Sequence, residues 1–187
     1  MIKDEIRKEI LAKRLALAEG EIVQSSQRIQ SRLIKSALWQ GYENIALYSP
    51  IKHEVDTTLL FIRALEEGKN VYFPRVEQGL QFYEVNDPND LQKGAWGIME
   101  PKDSCEEIED VIDIDLLVIP GVVFDKKGYR IGYGKGFYDE LLKKYPLPTV
   151  ALAYGFQVID EIPKDVWDQK VGMVITETEI YKSEHSK

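Results

Sequence analysis

A chain of 187 residues with 44% hydrophobic and 30% charged residues can bury a core without covalent staples. Its net charge of −8 carries no basic footprint for nucleic acid, and no apolar run approaches the length of a membrane span, so neither partner is expected. A single cysteine, Cys105, and two histidines, His53 and His185, exclude a disulfide framework and a zinc site of thiolates or imidazoles, leaving oxygen ligands for any metal.

The N-terminus is charged and lacks the apolar segment of a signal peptide, so a soluble cytoplasmic protein is expected. Residues 2–18 read as an amphipathic helix, with Ile2, Ile6, Ile10 and Leu17 at helical spacing and Gly20 as the break. A second helix is predicted over 21–39, stopped by Gly41. A strand over 45–48 ends at Ser49-Pro50, and Asp56 or Thr57 can cap a helix over 59–66 that stops at Gly68. Strands are predicted over 71–73, before Pro74, and over 80–85, with 86–110 mostly loop. Residues 116–119 form a continuous apolar run closed by Pro120-Gly121, the pattern of a strand buried on both faces. A short helix over 137–145 and strands over 150–153 and 171–175 complete the set, and residues 182–187 read as a disordered tail. Alternating strands and helices predict one α/β domain with a mostly parallel central sheet covered on both faces.

The sharpest signal is Arg130-Ile131-Gly132-Tyr133-Gly134-Lys135-Gly136-Phe137-Tyr138-Asp139, which follows a buried strand and leads into a helix. Alternate glycines permit positive φ and close backbone approach, so successive amides can converge on an anion at the positive end of the helix. Lys135 adds a mobile point charge and Arg130 a fork for phosphate oxygens. The glycine spacing matches neither a Walker loop nor the dinucleotide fingerprint. Asp139 reads as a Mg²⁺ ligand or as a first-turn carboxylate favoured by the helix dipole; Asp168 reads as a second ligand or as a helix cap. Lys3 and Arg7, four apart with Arg14 near the same face, repel one another and oppose the helix dipole. An anion such as a polyphosphate would relieve both penalties, although a solvated face is the competing reading. Glu54 lies at the C-terminal mouth of a strand, where open α/β sheets bind ligands. It can accept hydrogen bonds from the amide and amino edge of a ring, or lie exposed in a loop. Tyr133, Phe137, Tyr138 and Trp96 can stack on a flat ligand or belong to the core.

Residues 120–139 closely resemble the signature of the 5-formyltetrahydrofolate cyclo-ligase family, also called 5,10-methenyltetrahydrofolate synthetases. The resemblance extends to Lys3 and Arg7, to Glu54, to Tyr72-Phe73-Pro74-Arg75, to Gly97-Ile98 with Glu100-Pro101, and to the Asp168 region. It implies a three-layer α/β/α sandwich that uses ATP and Mg²⁺ to close 5-formyltetrahydrofolate to 5,10-methenyltetrahydrofolate, releasing ADP and phosphate through a phosphorylated formyl intermediate. On that basis Lys3, Asp4, Glu5, Ile6 and Arg7 contact ATP, as do Arg130, Ile131, Gly132, Tyr133, Gly134, Lys135, Gly136, Phe137 and Tyr138. Ser49, Glu54, Tyr133, Gly134, Lys135, Gly136 and Phe137 contact the folate, Asp139 and Asp168 bind magnesium, and Lys135 and Arg130 are catalytic. Tyr133 and Glu140 stand where many members have Arg; the first exchanges a phosphate contact for a ring face. A monomer acting on small molecules is expected. Two other readings stay open: a sugar-phosphate isomerase-like enzyme and a non-catalytic nucleotide- or folate-binding protein.

Overall fold

The computed structural model describes residues 2–183. Helix α1 (Lys3–Leu15) turns Ile6 and Ile10 inward, but the chain leaves helical geometry at 16–18 rather than at Gly20. Ala18 is extended and its amide is held by Glu21 Oε2 at 2.9 Å, so Gly20 falls in the first turn of α2 (Glu19–Ile34). The helix predicted over 21–39 is two helices. Ser36 Oγ accepts from the Trp39 amide at 3.3 Å and starts α3 (Ala37–Gly41), because a serine side chain competes with the helical backbone and caps a new turn.

After β1 (Asn44–Ala46) comes α4 (Thr58–Glu66), where Thr57 holds the cap position but donates its hydroxyl to the Tyr48 carbonyl at 2.8 Å. Strand β2 (Asn70–Val76) runs through Pro74, since β1 pairs only with residues 70–72 and asks for no amide beyond them. Strand β3 (Leu80–Glu84) returns antiparallel. Within the stretch predicted as loop, β4 (Leu91–Lys93) and β5 (Met99–Pro101) form a hairpin. Arg75 ties that hairpin to β2 by donating to the Pro101 carbonyl.

Strands β6 (Leu116–Ile119), β7 (Val123–Asp125) and β8 (Arg130–Ile131) precede α5 (Phe137–Lys144). Strands β9 (Thr149–Leu152), β10 (Val158–Ile159), β11 (Met173–Ile175) and β12 (Ile180–Lys182) follow. The disorder predicted from residue 182 fails for its first two positions: Lys182 ends β12 and the Ser183 amide donates to the Gly172 carbonyl at 3.0 Å. Residues 184–187 lie outside the described residues.

The large sheet has the order β12-β11-β9-β6-β1-β2-β3, parallel from β11 to β2 and antiparallel at both edges. Its central strands alternate strictly between two cores. Ile45, Leu116, Val118, Val150 and Leu152 meet Ile29, Leu33, Leu60 and Phe61 of α2 and α4. Ala46, Leu117, Ile119 and Ala151 meet Leu141 and Leu142 of α5 on the other face. The sandwich therefore has the three layers expected. A third core joins Ile6 and Ile10 of α1 to Val122, Val123 and Ile131 beside the small β10-β7-β8 sheet, which sequence periodicity did not reveal. From β1 the chain passes to β2 on one side, and from β6 to β9 on the other. The order thus reverses between β1 and β6, and a crevice opens beyond their C-terminal ends.

Candidate active site

A cavity of about 1030 Å³ occupies that crevice. Ser49, Glu54, Pro120 and Gly121 leave the two switch-point strands on one wall, and residues 130–140 supply a second. The β2–β3 and β4–β5 hairpins close a third wall with Pro74, Val76, Leu80, Trp96 and Ile98. Trp96 is 72% exposed with φ 56°, and Lys135 Nζ lies 6.0 Å from its ring centroid, so the glycine loop and the hairpin meet at the mouth.

The turn over 51–54 brings Glu54 inward. Lys52 and His53 both take left-handed φ, at 48° and 59°, and the Glu54 amide donates to the Ile51 carbonyl at 2.9 Å. Glu54 is 5% exposed rather than a solvated loop residue. Its Oε2 accepts from the Ile51 amide at 2.9 Å and its Oε1 from the Tyr133 hydroxyl at 3.2 Å. Burial pushes its carboxyl up to about 7, against the opposing pull of the Ile51 amide, Arg14, Tyr133 and Lys52. Burial and the Glu54 charge also hold the Tyr133 phenol above its ordinary range. Ser49 Oγ is buried with no hydrogen-bond partner among the described residues, as a group reserved for a ligand would be.

The opposite end of the cavity gathers charge. The β7–β8 turn is fixed by Asp125, whose Oδ1 accepts from the amides of Lys127 and Tyr129, and it delivers Arg130 into the cleft. Arg130 is buried, and its Nε and Nη2 have no hydrogen-bond partner among the described residues. Asp139 Oδ1 lies 3.4 Å from Nη2 and neutralises charge without aligning as an acceptor. Beyond it, Gly134 and Gly136 take positive φ, at 92° and 72°, whereas Gly132 does not. Gly136 is the side-chain-free cap of α5, so the first amides of that helix have no intrahelical acceptor.

The same geometry separates the predicted contacts of α1. Lys3 and Arg7 line the cavity, and both are satisfied by protein groups. Lys3 Nζ donates to Asp165 Oδ2 at 2.7 Å and to Asp168 Oδ2 at 2.5 Å. Burial would lower its ammonium, but these carboxylates outweigh burial and raise it. Arg7 Nε donates to the Gly132 carbonyl at 2.8 Å, and its Nη1 pairs with Asp4. The like-charge penalty read from the sequence is thus relieved by carboxylates from the chain itself. Asp4, Glu5 and Ile6 do not line the cavity: Asp4 pairs with Arg7, Glu5 reaches back to the Ile2 amide, and Ile6 is committed to the third core. The other predicted ligand residues, Ser49, Glu54, Ile131, Gly132, Tyr133, Gly134, Lys135, Gly136, Phe137 and Tyr138, all lie on the cavity wall. Sequence reasoning missed Trp167, 60% exposed at the rim, and Lys52, which sits 5.0 Å from the Tyr133 ring centroid.

Among the described residues, no three His, Cys, Asp or Glu side chains gather as a ready-made metal cluster. Asp139 and Asp168 both line the cavity, and both charges act on the Arg130 guanidinium. The Gln169 amide donates to Asp139 Oδ1 at 3.1 Å, which joins the two aspartate segments. Two carboxylates beside an anion site suit Mg²⁺, which takes one or two carboxylates and completes its octahedron with water and substrate phosphate.

Fold and site together define an α/β protein with a glycine loop and two cations, Arg130 and Lys135, in the cleft at its switch point. Residues 1–177 match the 5-formyltetrahydrofolate cyclo-ligase family. The solution structure of Aquifex aeolicus 5,10-methenyltetrahydrofolate synthetase superposes with a TM-score of 0.90 at 40% identity, covering 100% of this chain and 95% of that one. The Mycoplasma pneumoniae synthetase gives 0.78 at 30% identity, with 95% and 99% coverage. The Haemophilus influenzae 5-formyltetrahydrofolate cyclo-ligase is 33% identical over 174 residues, 89% of this chain and 91% of that protein. The chain belongs to the 5-formyltetrahydrofolate cyclo-ligase family.

Proposed function

We propose that the protein closes 5-formyltetrahydrofolate to 5,10-methenyltetrahydrofolate at the cost of ATP, with Mg²⁺, releasing ADP and phosphate. One observation carries the reading beyond family membership. A single cavity joins a buried, hydrogen-bonded carboxylate, Glu54, to a glycine loop that holds Lys135 and a guanidinium whose Nε and Nη2 have no hydrogen-bond partner among the described residues. The first end suits the amide and amino edge of a pterin, and the second suits a polyphosphate.

A formamide oxygen leaves poorly, so it is first made into a phosphate ester. The γ-phosphoryl passes to the formyl oxygen, breaking its bond to ADP and giving an N5-iminium phosphate. N10 then attacks the formyl carbon and releases its proton, and phosphate departs with the former formyl oxygen. Such a transfer asks the protein for positioning and charge neutralisation, which Arg130, Lys135 and the loop amides supply. Asp139 and Asp168 would hold Mg²⁺, which when bound neutralises polyphosphate charge. Glu54 and Ser49 orient the pterin, and Trp96 and Phe137 offer ring faces on the cavity wall. We take the protein as a single-domain cytoplasmic monomer acting on small molecules.

The test is to mix purified protein with 5-formyltetrahydrofolate and Mg-ATP and follow the methenyl chromophore. Absence of the chromophore, or its appearance without ATP, overturns the reading.

A further inference from the structure

Arg14 shares α1 with Lys3 and Arg7, yet its side chain is wholly buried. Its Nε donates to the Lys52 carbonyl and its Nη1 to the Gly121 carbonyl, both at 3.0 Å, and its Nη2 donates to the Tyr133 hydroxyl. The three acceptors belong to the turn after β1, the turn after β6 and the glycine loop, so one guanidinium joins all three segments beyond the switch point. The turn after β1 contains Lys52 and His53 in left-handed conformations, each costing on the order of 1–2 kcal/mol. Arg14 braces it twice, because its own carbonyl also lies 3.3 Å from His53 Nδ1. Glu54 ends that turn, 4.0 Å from Arg14 Nη2, with the Tyr133 hydroxyl accepting from Arg14 and donating to Glu54 Oε1.

We propose that Arg14 is a positioning residue that acts through the Tyr133 hydroxyl to hold Glu54 in the cleft and to lock the glycine loop to the pterin end. The roles of pterin and polyphosphate rest on the cyclo-ligase reading; the relay itself rests on the geometry. Removing the guanidinium raises the Glu54 titration directly, because its charge lies 4.0 Å from the carboxylate; a relay through the phenol predicts that loss of the Tyr133 hydroxyl alone raises it too, although the carboxylate keeps its bond to the Ile51 amide. A guanidinium that polarises the phenol stabilises the carboxylate, so its loss moves the Glu54 titration upward. The other groups facing Glu54 are Tyr48, Lys52, Tyr138 of α5 and Tyr154, whose hydroxyl donates to the Glu54 carbonyl at 3.4 Å. All of these stay in place in the variants below.

The experiment follows the Glu54 carboxyl by ¹³C NMR through a pH titration, in wild type, Tyr133→Phe, Arg14→Lys and Arg14→Met, with Glu54→Gln to assign the signal. Wild type is expected to titrate near 7. Tyr133→Phe is expected to raise the midpoint by about half a pH unit or more, Arg14→Met to raise it further, and Arg14→Lys to fall between wild type and Arg14→Met. In steady-state assays Tyr133→Phe raises the KM for 5-formyltetrahydrofolate several-fold and leaves that for ATP within about twofold, while Arg14→Met raises both. An unmoved midpoint in Tyr133→Phe overturns the proposal, even if thermal stability falls. Tyr133→Phe alone decides it should Arg14→Met fail to fold. The midpoint is read without substrate, so a wild type that forms no methenyl product would fell the cyclo-ligase reading and leave the relay standing.

Discussion

At the Glu54 end of the cleft a buried carboxylate, a half-buried phenol and a buried guanidinium lie packed together, each directed at a partner. At the Arg130 end, cations and carboxylates are matched more loosely. Lys3 holds Asp165 and Asp168, Asp139 sits near Arg130 without bonding it, and two guanidinium atoms have no acceptor among the described residues. The first arrangement is rigid and suits a ring whose hydrogen-bond pattern is fixed. The second keeps its charges neutralised by each other, so a metal–polyphosphate complex can take over both sets of partners: phosphate for the cations, metal for the carboxylates. Buried polar networks confer specificity when fully satisfied, whereas spare donors mark where a ligand completes the count.

The largest test of this contrast removes a charge from the loose end. Lys135→Ala is expected to lower kcat by about an order of magnitude or more with the fold intact by circular dichroism, because the side chain is exposed and contributes no core packing. Activity near wild type removes Lys135 from the mechanism. Next in size, Asp139→Asn and Asp168→Asn should raise the Mg²⁺ concentration for half-maximal rate several-fold. An unchanged titration in either variant takes that residue out of the metal site.

The tight end should respond to pH instead. A carboxylate titrating near 7 predicts that the KM for 5-formyltetrahydrofolate falls as pH rises through that value, because only the ionised group accepts from both donors of the ring edge. Glu54→Gln should flatten this dependence; a pH-independent KM in wild type contradicts the assignment. The smallest effect is on stability. The Glu54 proton is bound more tightly in the folded chain than at its ordinary value of 4.5, so its contribution is fully present below 4.5 and is lost as pH rises towards 7. The loss is at most about 3 kcal/mol. Denaturant melts of wild type and Glu54→Gln across that window should differ in slope, and equal slopes would place the Glu54 titration elsewhere.

Much of the scaffold was legible because its signals are local. The apolar run over 116–119, the helical periodicity of α1 and the glycine motif each lie within one contiguous segment, and the motif was specific enough to indicate the family. Boundaries were less secure where a side chain decided them, as Ser36 did by capping a new helix, and the strands of β7, β8 and β10 are too short for periodicity to register.

The sequence by itself determined which residue types could serve a phosphate and a flat ring, since those choices depend on backbone freedom, charge and spacing along the chain. Only the tertiary structure decided how they are partnered. Lys3 meets Asp168 across 165 residues, Tyr133 meets Glu54 across 79, and Arg14, read from spacing only as lying near the Lys3–Arg7 face, sits at the centre of three loops. Burial and pairing are set by strand order, which closes β1, β6 and the glycine loop around one crevice; no local pattern in α1 encodes that arrangement.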